Sequence, residues 1–233
     1  MSWYESGGYG SRTALLLRGL GATAAVWKPV ERALEEKGTL RWLAADLGGH
    51  GGSEWQPFYS VGQLATQLAE LVQQQQAHEL FIVGHSLGAY VGLALASGWF
   101  GLAVRGVLGI GPKINWPAEE EAWTRYRRVS GLSPDIAAGQ EWLARGAVQG
   151  ENGWRLAQDP RTFAVAGAPF ASLAASATVP IVLARGERDP MVSLQELAVH
   201  TPQAHDIRGA GHNAHIEQPG AVAALLEQLV AGV

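Results

Sequence analysis

Apolar residues along this chain recur in two rhythms. Four short runs are apolar at nearly every position: Thr13–Leu17 (TALLL), Leu40–Asp46 (LRWLAAD), Leu80–Gly84 (LFIVG) and Val104–Gly111 (VRGVLGIG). Glycine follows or closes each one. Runs of this length with no polar face read as buried strands of a parallel sheet. Between them lie helix-length segments. One covers roughly Ala25 to Glu36. Another begins after Ser60, a plausible N-cap, and runs to about Gln76, with Val61, Leu64, Leu68, Leu71 and Val72 at helical spacing. Strand, helix, strand, helix predicts an α/β fold with a mostly parallel central sheet flanked by helices.

The rhythm changes after Gly111. From Pro112 to Ala177 no convincing buried strand is visible. The stretch carries Trp116, Trp123, Trp142 and Trp154, many alanines, and breaks at Pro117, Pro134 and Pro160. It reads as several helices inserted into the sheet. Val179–Asp189 (VPIVLARGERD) then restores a buried strand, AHDIRGAGH offers one more, and PGAVAALLEQLVAGV closes the chain as an amphipathic helix. Gln218 is its candidate cap, and Pro219 stands at its first position, where a missing N–H costs nothing. The expected organisation is one core from 1–111 and 178–233, with a helical cap at 112–177.

Composition narrows the classes. The 233 residues are 47% hydrophobic and 16% charged, with a formal net charge of -4, which suits one globular domain. Without a Lys/Arg-rich run, nothing points to nucleic acid. Zero cysteines exclude a disulfide framework, a Cys-ligated metal and a Cys nucleophile. The N-terminus has no basic start followed by an apolar stretch, and no apolar run is long enough to span a bilayer. The expectation is a cytoplasmic monomer or homodimer acting on a small molecule, with no cofactor and no metal.

Chemistry enters at FIVGHSLGAYV, Phe81 to Val91. Gly84 and Gly88 flank Ser86 two residues away on each side. A sharp strand-to-helix turn strains the residue at its apex and needs small neighbours where helix and strand pack close. Here an apolar run precedes and an apolar helix follows, the context a G-x-S-x-G nucleophile elbow requires. Serine alone is a poor nucleophile. It needs a base, and the base needs an orienting acid, in the chain order serine, acid, histidine for this fold. Asp189 in GERDPMV and His212 in GAGHNAH both close predicted strands.

GHSLGA, GERDPMV and GAGHNAHIEQP together resemble signatures of the α/β-hydrolase superfamily of cofactor-free esterases and lipases. DLGGHGGS (Asp46–Ser53) resembles its D-x-x-G-x-G-x-S loop and LLLRGLGAT its oxyanion loop. The resemblance covers Thr13–Gly111 and Val179 to the C-terminus. It implies Ser86 as nucleophile, His212 as general base, Asp189 as orienting acid, and the backbone N–H groups of Leu20 and Leu87 as oxyanion donors. One residue departs from it: Arg18 stands where the family usually has histidine. Arg18 either braces the loop through carbonyls or turns its guanidinium into the pocket toward an acidic substrate.

Other residues carry competing readings. His215 rivals His212; the glycine before His212 favours the latter. Glu187 is the fallback for Asp189. His50 and His85 read as structural. Trp116, Trp123 and Trp142 either pack a cap onto the core or, with Tyr90 and Met191, line an apolar pocket. The implied reaction is hydrolysis of a small to medium, largely apolar carboxylic ester through an acyl-enzyme, losing activity on the acid side as His212 takes a proton. Rivals are thioester, lactone or carbon–carbon hydrolysis or perhydrolysis on the same residues, a lyase or synthase, and a non-enzymatic ligand receptor.

Overall fold

A computed structural model describes residues 2–114, 147–150, 153–156, 162 and 169–233. The strands are β1 (Tyr4–Gly8), β2 (Arg12–Leu17), β3 (Arg41–Ala45), β4 (Glu79–His85), β5 (Val104–Ile110), β6 (Ala147–Gly150), β7 (Gly153–Leu156), β8 (Ile181–Gly186) and β9 (Ala204–Ile207). The α-helices are α1 (Lys28–Lys37), α2 (Val61–Gln74), α3 (Leu87–Leu95), α4 (Phe170–Ser176), α5 (Leu194–Ala198), α6 (Ala214–Glu217) and α7 (Pro219–Ala231), with a 3₁₀ turn at Ala24–Trp27 before α1.

Seven strands form one mixed, mostly parallel sheet in the order β1-β3-β2-β4-β5-β8-β9. Only the β1–β3 pairing within it is antiparallel. Alternate residues of each strand feed opposite layers. Leu15, Leu17, Leu43 and Ile82 pack with Leu64 and Leu68 of α2 and Val91 of α3. Leu16, Trp42, Phe81 and Val83 pack in the other layer, with Trp27, with Val30 and Leu34 of α1, and with Val222 and Leu226 of α7. Each fully buried leucine contributes about 1.5–3 kcal/mol of transfer free energy, so the two-sided burial makes the sheet the rigid frame.

Helix boundaries follow local chemistry. Ser60 caps α2, its Oγ accepting from Gln63 N at 3.1 Å. Ser193 and Glu196 form a capping box on α5. Gln218 does occupy the N-cap of α7, but its side chain makes no capping hydrogen bond; Pro219 at the first position is what opens that helix. Two features go beyond the sequence reading. β1 is a half-exposed edge strand, and β6 and β7 form a two-stranded antiparallel hairpin inside the segment expected to be helical. Phe170 of α4, from the same segment, is buried against Tyr90 of α3 with ring centroids 5.2 Å apart. Trp116, Trp123 and Trp142 lie outside the described residues. Among the described residues no helix is long and apolar enough to cross a membrane.

The topology also selects a place for a site. After β2 the chain moves to one side, to β3; after β4 it moves to the other, to β5. Between β2 and β4 the loops at the carboxyl ends therefore diverge and leave a crevice, the usual ligand position in open α/β sheets. Leu17 is in register with Gly84 across that gap, so Arg18–Leu20 and Ser86 emerge side by side.

Candidate active site

Ser86 sits on the turn between β4 and α3 with φ 50° and ψ -115°. Serine in that region is strained by about 1–3 kcal/mol, so the surroundings must hold it there. They do. Its N–H donates to Ile110 O at 2.9 Å and its carbonyl accepts from Ala89 N at 3.0 Å. A Cβ on Gly84 would collide with the Gly88–Ala89 backbone, and one on Gly88 with the backbone at Leu17. The two flanking glycines thus press α3 onto β4 and the end of β2. Leu87 opens α3, and the first N–H groups of a helix have no partner within it. They face the same end of the sheet as Ser86.

Asp189 and His212 meet at the neighbouring strand ends. His212 Nδ1 and Asp189 Oδ2 are 2.9 Å apart. A carboxylate only accepts, so Nδ1 carries the proton and Nε2 is left as the basic nitrogen. The other carboxylate oxygen, Oδ1, accepts from Met191 N at 2.8 Å, which fixes the plane of the acid. Asp189 is buried. Gly111, next to the Ile110 that binds Ser86, has φ 53°, and a Cβ there would lie 2.9 Å from Asp189 Oδ2 and 3.3 Å from His212 Nδ1. The end of β5 thereby links the serine turn to the acid–histidine pair, and only glycine fits between them.

His85 ties the histidine loop down. Its Nε2 donates to His212 O at 2.9 Å, and its ring lies 4.7 Å from that of His212 and 4.3 Å from that of His215. His215 in turn packs 4.7 Å from Trp27. Burial, with His215 and His212 nearby, holds the His85 imidazole well below its ordinary range. Burial and then His212 push His215 down to about 3. Both rings are neutral at physiological pH, so neither places a positive charge beside His212.

The competing residues sort by position. His215 is buried behind His85, and His212 is the histidine paired with an acid. Glu187 Oε2 accepts from Gly209 N at 3.0 Å in an exposed turn. His50 is buried, Nδ1 3.0 Å from Gly48 O. Arg18 is fully buried and its Nη1 donates to Gly19 O. Tyr90 is buried, donating its hydroxyl to Lys113 O. Met191 is half-buried beside Asp189. Leu20 is half-buried and follows Gly19, where an added Cβ would lie 3.0 Å from Ser86 Cβ.

Three positions escape the sequence reading as parts of the site. Gly19 and Gly111 are spacers whose role is visible only when strands are side by side, although each follows an apolar run as a strand-closing glycine would. Asp46 is the third. Its Oδ1 accepts from Ala24 N at 2.6 Å and its Oδ2 from Gly52 N at 2.9 Å. It joins the GGHGGS loop to the turn that follows Leu20, and Ser53 Oγ returns a bond to Asp46 O at 2.7 Å.

Several known proteins are similar to this chain. Over 93% of this chain and 92% of its own length, the 2-succinyl-6-hydroxy-2,4-cyclohexadiene-1-carboxylate synthase of Salmonella arizonae is 29% identical. A protein of Enterobacter cloacae subsp. cloacae named "Putative carbamate hydrolase RutD" is 25% identical over 90% of this chain and 88% of its own. Among solved structures, a thioesterase domain from the curacin biosynthetic pathway superposes with a TM-score of 0.76, 21% identity and coverage of 97% of this chain and 94% of that one. These solved-structure likenesses concern the fold. The family model described as the alpha/beta hydrolase family matches residues 14–225, and with that match, the sheet order and the strained serine turn, the chain belongs to the alpha/beta hydrolase family.

Proposed function

We propose that the protein is a serine hydrolase that cleaves carboxylic esters of small to medium, largely apolar substrates through an acyl-enzyme. The observation that carries this reading is the 2.9 Å pairing of His212 Nδ1 with Asp189 Oδ2 beside the positive-φ Ser86. In the first step His212 Nε2 takes the Ser86 proton as Oγ bonds to the ester carbonyl carbon. The carbonyl oxygen becomes an oxyanion held by the Leu20 and Leu87 N–H groups. The carbon–oxygen bond to the alcohol breaks, and the leaving alkoxide recovers the proton from His212. Water then attacks the acyl-enzyme with the same base and releases the acid. Asp189 stays ionised throughout and stabilises the imidazolium.

The test uses wild type and Ser86→Ala with p-nitrophenyl esters of graded acyl length and a fluorophosphonate probe. The expected result is turnover and labelling in wild type, with both lost in Ser86→Ala by roughly 10⁴–10⁶ in rate. Labelling that persists in Ser86→Ala would overturn the assignment of the nucleophile. The Salmonella synthase similarity favours a second reading, in which the Ser86–His212 pair abstracts a proton and no acyl-enzyme forms. Ester turnover separates the two: turnover with an acyl adduct on Ser86 in quenched enzyme supports hydrolysis, and fluorophosphonate labelling of Ser86 with no turnover of any ester in the panel supports the synthase chemistry.

A further inference from the structure

The residue that departs from the family pattern lies next to the nucleophile's turn. Arg18 follows β2, is 0% exposed, and donates from Nη1 to the carbonyl oxygen of Gly19. That carbonyl belongs to the Gly19–Leu20 peptide. In a trans peptide the C=O and the following N–H lie in one plane and point in opposite directions. Whatever holds the Gly19 oxygen therefore aims the Leu20 N–H the other way. The plane lies beside the nucleophile, since a Cβ on Gly19 would be 3.0 Å from Ser86 Cβ and 3.0 Å from His85 Nδ1. His85 packs close to Gly19, and the arginine holds the carbonyl oxygen.

We propose that Arg18 is the positioning residue of the oxyanion hole: its guanidinium fixes and polarises the Gly19–Leu20 peptide so that the Leu20 N–H is set for the developing oxyanion. The inference rests on the hydrolase reading above. With no exposed surface, Arg18 acts through the peptide and touches no substrate. Guanidinium stays charged at any working pH, and burial keeps its field from being screened by salt. Donation to a carbonyl pulls electron density from the same amide's N–H and strengthens the bond that N–H donates. A donor already oriented needs no reorganisation when charge appears on the substrate oxygen. The benefit is confined to the transition state, because the ester carbonyl carries little charge before attack.

The experiment measures Arg18→Met and Arg18→Lys in the full chain. It reads kcat and KM for p-nitrophenyl acetate, and the inhibition constant of a trifluoromethyl ketone, whose serine adduct carries an oxyanion. For Arg18→Met, kcat and ketone affinity should each fall about 10²-fold, while KM changes by less than about threefold. Arg18→Lys, which keeps the charge, should recover at least about tenfold of both. In the uninhibited protein the Leu20 amide nitrogen resonance should move upfield in Arg18→Met, since its peptide loses a hydrogen bond at the carbonyl. Should Arg18→Met fail to fold, Arg18→Lys against wild type carries the test through the ketone-to-KM ratio. A raised KM with kcat kept would make Arg18 a substrate-binding residue and overturn the inference. So would folded variants with unchanged kcat and ketone affinity. A wild type that neither turns over esters nor takes the fluorophosphonate overturns the hydrolase reading itself, an outcome read without any Arg18 variant.

Discussion

The two ends of the central strands handle polar groups in opposite ways. At the amino ends, charged side chains stay in water. Arg12 pairs with Glu79 at 3.3 Å with side chains 41% and 40% exposed, and Arg41 at the start of β3 reaches Gln75 O at 3.2 Å. At the carboxyl ends, polar groups are buried: Arg18, Asp46, His85, Asp189 and His215 are each nearly or fully shielded. Their bonds are directional and mostly run to backbone, as in Arg18 to Gly19 O, Ala24 N to Asp46, and His85 to His212 O. Burying polar groups costs free energy unless partners are found. The amino ends avoid that cost, and the carboxyl ends accept it. One end therefore only terminates the sheet, while the other holds loops in fixed relative positions.

Substitutions at the carboxyl end should accordingly change kinetics steeply, and those at the amino end hardly at all. After the loss expected for Ser86→Ala, the largest effect is expected for Asp189→Asn, which keeps the shape but lets the amide donate and so favours the wrong His212 tautomer. The loss in kcat on an accepted ester should be about 10⁴-fold; a loss under tenfold would remove Asp189 from the mechanism. Gly111→Ala comes next. It places a methyl 2.9 Å from Asp189 Oδ2 at a φ of 53°. Displacing the pair by up to about 1 Å should lower kcat by roughly 10². A crystal structure of the variant would show the 2.9 Å bond between His212 and Asp189 broken.

A smaller effect concerns stability. His215 is neutral and buried when folded, with its affinity for protons lowered from 6.5 to about 3. The unfolded chain therefore binds the extra proton first as pH falls. The stabilising contribution is fully present above about pH 6.5 and is lost progressively from there toward pH 3. Between about pH 7.5 and pH 5 this one group should account for about 2 kcal/mol. Urea unfolding at both pH values should show that difference shrink in His215→Leu, and an unchanged difference would refute it. The smallest effect is expected at the other end. Arg12→Ala should cost less than about 1 kcal/mol, as exposed pairs do, with kcat and KM unaltered. A kinetic effect there would break the contrast between the ends.

Much of this is legible in the chain. The central strands are readable because both of their faces are buried, so nearly every position must be apolar. Ser86 is readable because the turn demands glycines at two fixed offsets, and Asp189 and His212 because each closes a strand in the order the chemistry requires. β1 is not. Tyr4–Gly8 reads YESGG, a polar edge whose strand character comes from five backbone pairings with β3. The β6–β7 hairpin is four residues a side, too short for a period to declare itself.

Local pattern suffices for the alternation of strand and helix, the strained serine and the identity of its acid and base candidates. Hydrophobic period and steric demands within a few residues settle all of these. The glycine before His212 favours it over His215, and packing in three dimensions shows what holds the two rings apart. The turn into α6 leaves His212 against Asp189 and sends His215 inward to Trp27 and His85. The place of Arg18 beside the nucleophile's turn is fixed the same way, by the end of β2 lying next to the turn after β4 in the Leu17–Gly84 register. These contacts depend on distances between segments far apart in the chain, which a local pattern of side chains can suggest but not fix.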